Sequence, residues 1–512
     1  MDSDAFYPPR RQRIAIIIVV MAASIMQILD TTIANVALPH MQASLSATQE
    51  QISWVLTSYI VATAIVIPAT GFLEGLISRR TLFIVSIAGF TVSSALCGLA
   101  WSLPTMVGAR VMQGIFGAFI SPLGQAIMFD TSPPEKRAQA MTIWGMGVMI
   151  APIMGPVIGG WLTEELSWRW VFFVNVPIGV VTVLAALTLF ERTPSARTAF
   201  DWRGYLMIAI GIAALQLGLD RGTQLDWFDS TEILFEFGLA AGLLWMYIIH
   251  TRTATAPIIS RDVFSDRNLV IACIYTLVTA GSLIAGATFI TLMLQSLFGY
   301  GTIDAGMMGL PRGVSMAISM LIAGRLSARI DPRMMMGFGL LMVGWGYIIM
   351  SGFSLEMDNH LIIWVGILQG FGFGFIMLPM NLLGFSTLAA RFRTEGASLY
   401  SIARNIGSSV MIALAGASIA RNVQISHSDM ASQITNETVP ALNAGVFEQL
   451  GIRGEAMMTA LNFELTRQAV MVSYINIFFA TAIMSFVVVP LILLAKPVKA
   501  APSGAMPAPD AH

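Results

Sequence analysis

The chain has 512 residues, of which 56% are hydrophobic and 11% are charged, whereas an ordinary soluble domain carries about 25% charged residues. The 28 basic and 29 acidic residues nearly cancel, so a net charge of -1 gives no reason to expect nucleic acid as a partner. This composition excludes a typical soluble domain and indicates an all-α polytopic membrane protein.

The first apolar segment begins at Ile14 and carries one carboxylate, Asp30, near its far end. Arg10, Arg11 and Arg13 precede it, but the apolar run is too long for a signal peptide and lacks a small-residue cleavage site. We therefore expect a retained transmembrane helix. A charge inside a membrane span is costly and normally faces a partner or a wet cavity, so Asp30 is a candidate functional residue.

Hydropathy divides the chain into about fourteen spans, since a bilayer core of about 30 Å needs about 20 apolar residues per helix. The spans are predicted at residues 14–36, 51–74, 81–101, 104–128, 138–162, 171–190, 203–220, 231–250, 268–296, 305–327, 334–353, 361–388, 396–419 and 469–495. Basic residues concentrate in alternate loops, which predicts cytoplasmic N- and C-termini. The predicted outer loops hold only Arg169, Arg221, Arg421, Arg453 and Arg467.

The fourth span contains a second buried charge, Arg110, followed by Gln113, Gly114 and Gly117. The glycines remove side-chain bulk, so another helix or a substrate can approach the guanidinium. At 1.5 Å per residue, Arg110 and Asp30 lie roughly 10 Å and 6 Å below the outer surface. Their similar depth predicts a direct or water-bridged pair. The alternative is that Arg110 extends to the membrane interface.

The fifth span combines a small-residue stripe of period four with two prolines and a further glycine: Gly147, Ala151, Pro152, Gly155, Pro156, Gly159 and Gly160. Small residues at this spacing allow close helix packing. Each proline removes a backbone hydrogen bond, which predicts a bend. Together these features favour a sliding interface that changes conformation, with static packing as the alternative.

Two further features lie at or near span ends, and a third lies inside a span. The aromatic stretch 168–179 is interpreted as a membrane-interface belt. Arg312 lies close to Asp304 near the outer end of the tenth span, which favours structural pairing or extension to the interface. Arg404 lies about a third of the way up the thirteenth span, where a structural role and a role in proton coupling or substrate binding are equally open.

We predict that spans 1–6 and 9–14 form two halves, as in transporters built from parallel repeats. The polar segment between the last two spans is interpreted either as a solvated outer loop or as a helical element that docks a partner. The Ala- and Pro-rich tail is predicted to be disordered. The predicted units are an N-terminal six-helix bundle at 1–192, two inserted linker helices at 193–262, a C-terminal six-helix bundle at 263–495 with an outer loop at 420–468, and a cytoplasmic tail at 496–512.

Several classes of function have no support in the sequence. It has no Gly-x-x-x-x-Gly-Lys phosphate loop and no hydrolase signature, so we expect neither an ATP-driven pump nor an enzyme. The five histidines are His40, His250, His360, His427 and His512. They fall at span ends, in loops or in the tail and form no cluster, so we expect no metal and no cofactor. The energy for any transport would then come from an ion gradient or a substrate gradient.

These residues resemble the fourteen-helix drug:proton antiporters of the major facilitator superfamily over nearly the whole chain. The similarity rests on Leu29-Asp30-x-Thr32-Ile33-Ala34-Asn35, Arg110-x-x-Gln113-Gly114, Gly155-Pro156-x-x-Gly159-Gly160, Trp168-x-Trp170-x-Phe172-x-x-Asn175-Val176-Pro177 and Leu219-Asp220-Arg221-Gly222-x-x-Leu225-Asp226-Trp227-Phe228. The resemblance implies a major facilitator fold in a bacterial inner membrane. It also implies a proton-transfer role for Arg110, a membrane-embedded acid at Asp30 and an antiporter signature in the fifth span.

The same resemblance implies exchange of small amphipathic, drug-like compounds for protons. It further implies a periplasmic adaptor and an outer-membrane channel as partners. One motif departs from the family: the loop after the second span has Gly75 and Leu76 where an aspartate and an arginine are usual. Glu74 directly precedes Gly75, the position of the missing aspartate, and could replace it by a shift of one residue. An uptake symporter and a non-transporting membrane sensor or scaffold remain the alternatives.

Overall fold

The computed structural model describes residues 7–133, 136–191, 200–327, 329–432 and 455–497. The predicted domain boundary at 192 and 193 lies outside the described residues. So do most of the predicted disordered tail, from residue 498 onward, and the middle of the predicted outer loop, at 433–454.

Fourteen long helices form the described part of the chain. Thirteen are long and apolar enough to cross a membrane, and the remaining one, 29 residues long, coincides with the predicted fifth span. This confirms the all-α membrane class. In chain order they are α1 (Arg10–Ser44), α2 (Gln49–Ile77), α3 (Arg79–Gly98), α4 (Leu103–Thr131), α5 (Arg137–Glu165), α6 (Trp170–Leu189), α7 (Trp202–Arg221), α8 (Thr231–Thr253), α9 (Arg267–Phe298), α10 (Ile303–Leu326), α11 (Pro332–Met350), α12 (Asn359–Ser386), α13 (Arg393–Ser432) and α14 (Glu455–Val488).

Local sequence explains where these helices begin and what they expose. Thr48 and Ser102 each cap a helix by accepting a hydrogen bond from a backbone N–H in its first turn. Large apolar side chains such as Val181 on α6 and Phe235 on α8 are 67% and 68% exposed, as expected of surfaces that face lipid tails.

Helix breaks occur away from the predicted bend. In α2 the helix tightens to a 3-10 turn at Ile67–Ala69, and α4 is interrupted between Gly117 and Ile120. In contrast, α5 continues without a break through Pro152 and Pro156. Proline is tolerated within membrane helices where neighbouring helices support the backbone, and α1 packs along α5.

The helix contacts divide into an early group, a late group and an inserted pair. Among the first six helices, α1 packs on α5 and α6, α2 packs on α4, and α3 packs on α4 and α6. The last six pack likewise, with α9 on α13, α12 on α10 and α11, and α14 on α11 and α13. The inserted helices α7 and α8 pair with each other, and α7 also contacts α2 and α13. Contacts between α5 and α10 join the early and late helices.

The helices α13 and α14 extend well beyond their predicted membrane spans. With 40 residues, α13 is about 60 Å long, or twice the thickness of a bilayer core. Beyond the predicted spans, Nε2 of His427 on α13 lies 2.9 Å from Oδ1 of Asn462 on α14. The solvated-loop interpretation is therefore wrong for residues 421–432 and 455–468, which are helical.

Candidate functional site

Asp30 is fully buried at the centre of a hydrogen-bonded network between four helices. One carboxylate oxygen, Oδ2, lies 2.6 Å from Nη1 of Arg110 on α4. The other, Oδ1, accepts hydrogen bonds of 2.8 Å from Nε2 of Gln113 and from Nδ2 of Asn175 on α6. Ser94 on α3 completes the network, since Asn175 Nδ2 lies 3.1 Å from its hydroxyl. The predicted direct pair of Asp30 and Arg110 is present.

Arg110 is also fully buried and is held from several sides. Its Nε donates to the carbonyl oxygen of Val55 at 2.9 Å, and its Nη1 donates to Oε1 of Gln113 at 2.8 Å. The guanidinium lies over the rings of Tyr59 and Phe172, at 4.5 Å and 5.6 Å from their centroids. Among the described residues, Nη2 of Arg110 has no hydrogen-bond partner. The alternative that Arg110 extends to the membrane interface is therefore wrong.

Gly114 and Gly117 bring α4 against α2 at this network. A Cβ atom on Gly114 would lie 2.5 Å from the carbonyl oxygen of Tyr59, and one on Gly117 would lie 3.0 Å from the Tyr59 hydroxyl. Any larger residue at 114 would push the helices apart. Close approach of the two backbones places the Arg110 side chain within reach of Val55.

Asn175, Ser94 and Tyr59 belong to the network but are not identified by sequence reasoning. Asn175 lies in the aromatic stretch interpreted as an interface belt, yet it is fully buried, and Trp168 in the same stretch is only 6% exposed. The belt interpretation is therefore wrong for these two residues. The sequence feature that could have identified Asn175 is its position as a lone amide at the start of an apolar run, because a buried polar side chain needs a hydrogen-bond partner.

The small-residue stripe of α5 packs directly on α1, the helix that carries Asp30. A Cβ atom on Gly147 would lie 2.4 Å from Met21, and one on Gly155 would lie 2.2 Å from Oγ1 of Thr32. Gly159 faces Ile33 in the same way, and Ala151 of the stripe is fully buried. This contact runs alongside the Asp30 network.

Another face of α5 meets α10. A Cβ atom on Gly160 would lie 3.3 Å from Ile303, and one on Gly306 would lie 3.3 Å from Pro156. Pro152, by contrast, is exposed. Thus α5 is in contact with α1 on one side and with a late helix on the other. Whether it slides there stays a prediction.

A charge cluster lies at the predicted cytoplasmic end, between early and late helices. Arg79 pairs with Glu74 at 2.6 Å and with Asp130, and Asp130 also pairs with Arg393 on α13. Glu74, next to the missing family aspartate, is thus one of the acids of this cluster. Nη2 of Arg79 also lies 3.4 Å from Oγ1 of Thr394. The early helices therefore contact two consecutive residues of α13, Arg393 and Thr394.

The structure separates the remaining two arginines from the Asp30 network. Arg312 is 7% exposed, so extension to the interface is wrong. It lies over the ring of Phe373 and 3.4 Å from the carbonyl oxygen of Leu283. It forms no described ion pair with Asp304, which lies about 12 Å away along the helical rise. Arg404 instead faces α4, with Nη2 at 3.1 Å from Oγ of Ser121.

This arrangement makes the charge state of Asp30 decisive for the surrounding contacts. An ionised carboxylate accepts all three of its hydrogen bonds and neutralises Arg110. Adding a proton would weaken the charge-assisted bond to Arg110 and turn an acceptor into a donor beside two amides. Protonation of Asp30 would therefore change the contacts among α1, α4 and α6.

Comparisons with known proteins agree on one family. A family model described as Major Facilitator Superfamily matches residues 20–412. The chain is 32% identical to the fatty acid resistance protein FarB of Neisseria gonorrhoeae, over 93% of this chain and 94% of that protein. It is also 32% identical to the multidrug export protein EmrB of Escherichia coli K12, over 95% and 96%. The solved structure of the proton:xylose symporter XylE shares the fold, with a TM-score of 0.62 at 11% identity and 96% and 97% coverage.

Proposed function

The chain belongs to the major facilitator superfamily, and we propose that it exports hydrophobic or amphipathic toxic compounds in exchange for protons. Relatives named for multidrug export and fatty acid resistance support export. The fold alone does not set the direction, since XylE is a proton:xylose symporter. The observation that carries the proton coupling is the fully buried Asp30, held by Arg110, Gln113 and Asn175.

The proposed cycle is alternating access between two six-helix bundles, residues 1–192 and 263–495, with the pair at 193–262 inserted between them. Protonation of Asp30 weakens its pair with Arg110 and repositions α1. The stripe from Gly147 to Gly159 on α5 packs on α1, so a shift of α1 is passed to α5 and from there to α10. Substrate release at the outer side is coupled to this change.

The direct test is substrate-induced proton movement in everted membrane vesicles energised with a proton gradient. We expect addition of an exported compound to dissipate the gradient, and the compound to accumulate inside the vesicles. A proton-coupled uptake system would expel the compound from such vesicles instead. A sensor or scaffold would show no flux, and its own activity would survive Arg110→Ala.

Loss of the charge cluster at the predicted cytoplasmic end should open that end. Asp130→Asn removes the carboxylate that lies between Arg79 and Arg393, so two guanidinium groups repel each other instead of sharing an acid. We expect a larger distance between spin labels at positions 136 and 391, which are exposed on either side of this contact. The labels require Cys97 and Cys273 to be replaced by serine first.

The control for this measurement is Asp229→Asn, the same substitution at an exposed position in the connection between α7 and α8. It should leave the label distance unchanged. An unaltered distance in Asp130→Asn would contradict the proposed role of the cluster in holding this end closed.

The proposed partners are an EmrA-like periplasmic adaptor and a TolC-like outer-membrane channel, and the proposed location is a bacterial inner membrane with both termini cytoplasmic. The helical extension of α13 and α14 beyond the predicted spans supports an adaptor contact. It presents Ile425, Met458 and Phe463, of which Phe463 is 70% exposed. Exposed apolar side chains outside the lipid region are typical of protein contact sites.

A further inference from the structure

Arg404 is a cation without a described counter-ion. Its guanidinium, which remains protonated in proteins, carries five N–H donors, yet its one side-chain hydrogen bond to a described residue is the one to Ser121. None of the ion pairs among the described residues includes Arg404. An intramembrane cation without an acidic partner is typical of a functional position, and an external anion would stabilise it.

The position of Arg404 distinguishes it from the other two intramembrane arginines. Arg110 is already neutralised by Asp30. Arg312 forms no ion pair with a described residue, and its contacts with Phe373 and Leu283 are with late helices. Arg404 extends from the late helix α13 to Ser121 on the early helix α4, and its side chain stays partly exposed. It therefore lies at the seam between early and late helices.

We propose that Arg404 binds the ionised acid group of amphipathic substrates, so that the compounds exported include fatty-acid-like carboxylates. A planar guanidinium pairs with a carboxylate through two parallel hydrogen bonds, which a neutral or cationic compound cannot offer. This inference rests on the proposed function, because it names the substrate class of the same transporter.

The test compares the binding of a dansyl-labelled fatty acid with that of its methyl ester, at a pH where the acid is ionised. Purified protein in nanodiscs is titrated by fluorescence, and protein-free nanodiscs supply the lipid background. We expect Arg404→Gln to weaken binding of the acid by about 10- to 100-fold, the usual value of a hydrogen bond to a charged group. Binding of the ester should be unchanged, and Arg404→Lys should keep part of the preference for the acid.

The matched control is Arg421→Gln, the same substitution at an exposed position about 25 Å further along α13. It should leave both affinities unchanged. The inference is overturned if Arg404→Gln binds the acid as tightly as the unmodified protein, or if it loses acid and ester equally, since the latter marks a structural role.

Failure of this inference can be separated from failure of the proposed function. Arg404-dependent binding of the acid without any substrate-induced proton flux would overturn the coupled-export proposal and leave the anion site standing. Proton-coupled export in which Arg404→Gln handles acid and ester as the unmodified protein does would overturn the anion site alone.

Discussion

Asp30→Asn is expected to abolish substrate-induced proton flux in everted vesicles. Asparagine has nearly the same shape, and its carbonyl oxygen can still accept a hydrogen bond, but it cannot take up a proton. Asp30 is the acid in the described network, where its neighbours Arg110, Gln113 and Asn175 are a permanent cation and two amides. A variant that still exchanges substrate for protons at the normal rate would remove Asp30 from the coupling mechanism.

The same substitution also has a stability effect that must be separated from coupling. Removing the carboxylate leaves Arg110 buried and unpaired, which costs about 3–5 kcal/mol. The double variant Asp30→Asn/Arg110→Gln removes both charges and should recover most of the thermal stability, measured on purified protein. It should still lack proton flux. Asp229→Asn, the same substitution at an exposed position, should behave as the unmodified protein in both measurements.

Gly155→Val is expected to abolish transport by displacing α5 from α1. A Cβ atom added at position 155 would lie 2.2 Å from Oγ1 and 2.7 Å from Cβ of Thr32, and valine adds two further methyl groups. Overpacking of this kind costs about 1–3 kcal/mol even where the neighbours move. Transport and thermal stability should both fall. The matched control is Gly242→Val on α8, where an added Cβ meets no atom within 4 Å.

A compensating pair tests whether the contact itself is responsible. Gly155→Ala alone should lower transport, because the added methyl group clashes with Thr32. Combined with Thr32→Gly, which removes the atoms it meets, transport should recover. If the pair transports no better than Gly155→Ala alone, the close contact of α5 with α1 at this position is not what the glycine provides.

The Asp30–Arg110 contact could be predicted because two rules suffice for it. A buried charge needs a partner, and the rise of a helix fixes depth from residue number alone. Rotation about the helix axis is not fixed by such arithmetic. Asn175, Ser94 and Tyr59 have the correct depth as well, but nothing in the sequence states which face of α6, α3 or α2 turns towards Asp30.

Arg312 and the α5 stripe show the same limit. Proximity in sequence suggested Asp304 as a neighbour of Arg312, whereas tertiary packing directs the side chain to Phe373 and Leu283. The period of four in the stripe predicts a close helix contact but does not identify the partner. The partner is α1, the helix whose acid is proposed to bind the proton, and this is known only from packing.

One continuous helix carries three of the features described above. The helix α13 holds Arg393 of the charge cluster near one end and Arg404 at the seam, and it continues unbroken to Ser432 outside the predicted span. Over about 60 Å, a tilt of about 10° about its inner end moves its outer end by about 10 Å. In the proposed transport cycle, a displacement of a few ångströms at the seam would become a larger displacement at the outer end of α13, where we propose that an adaptor binds.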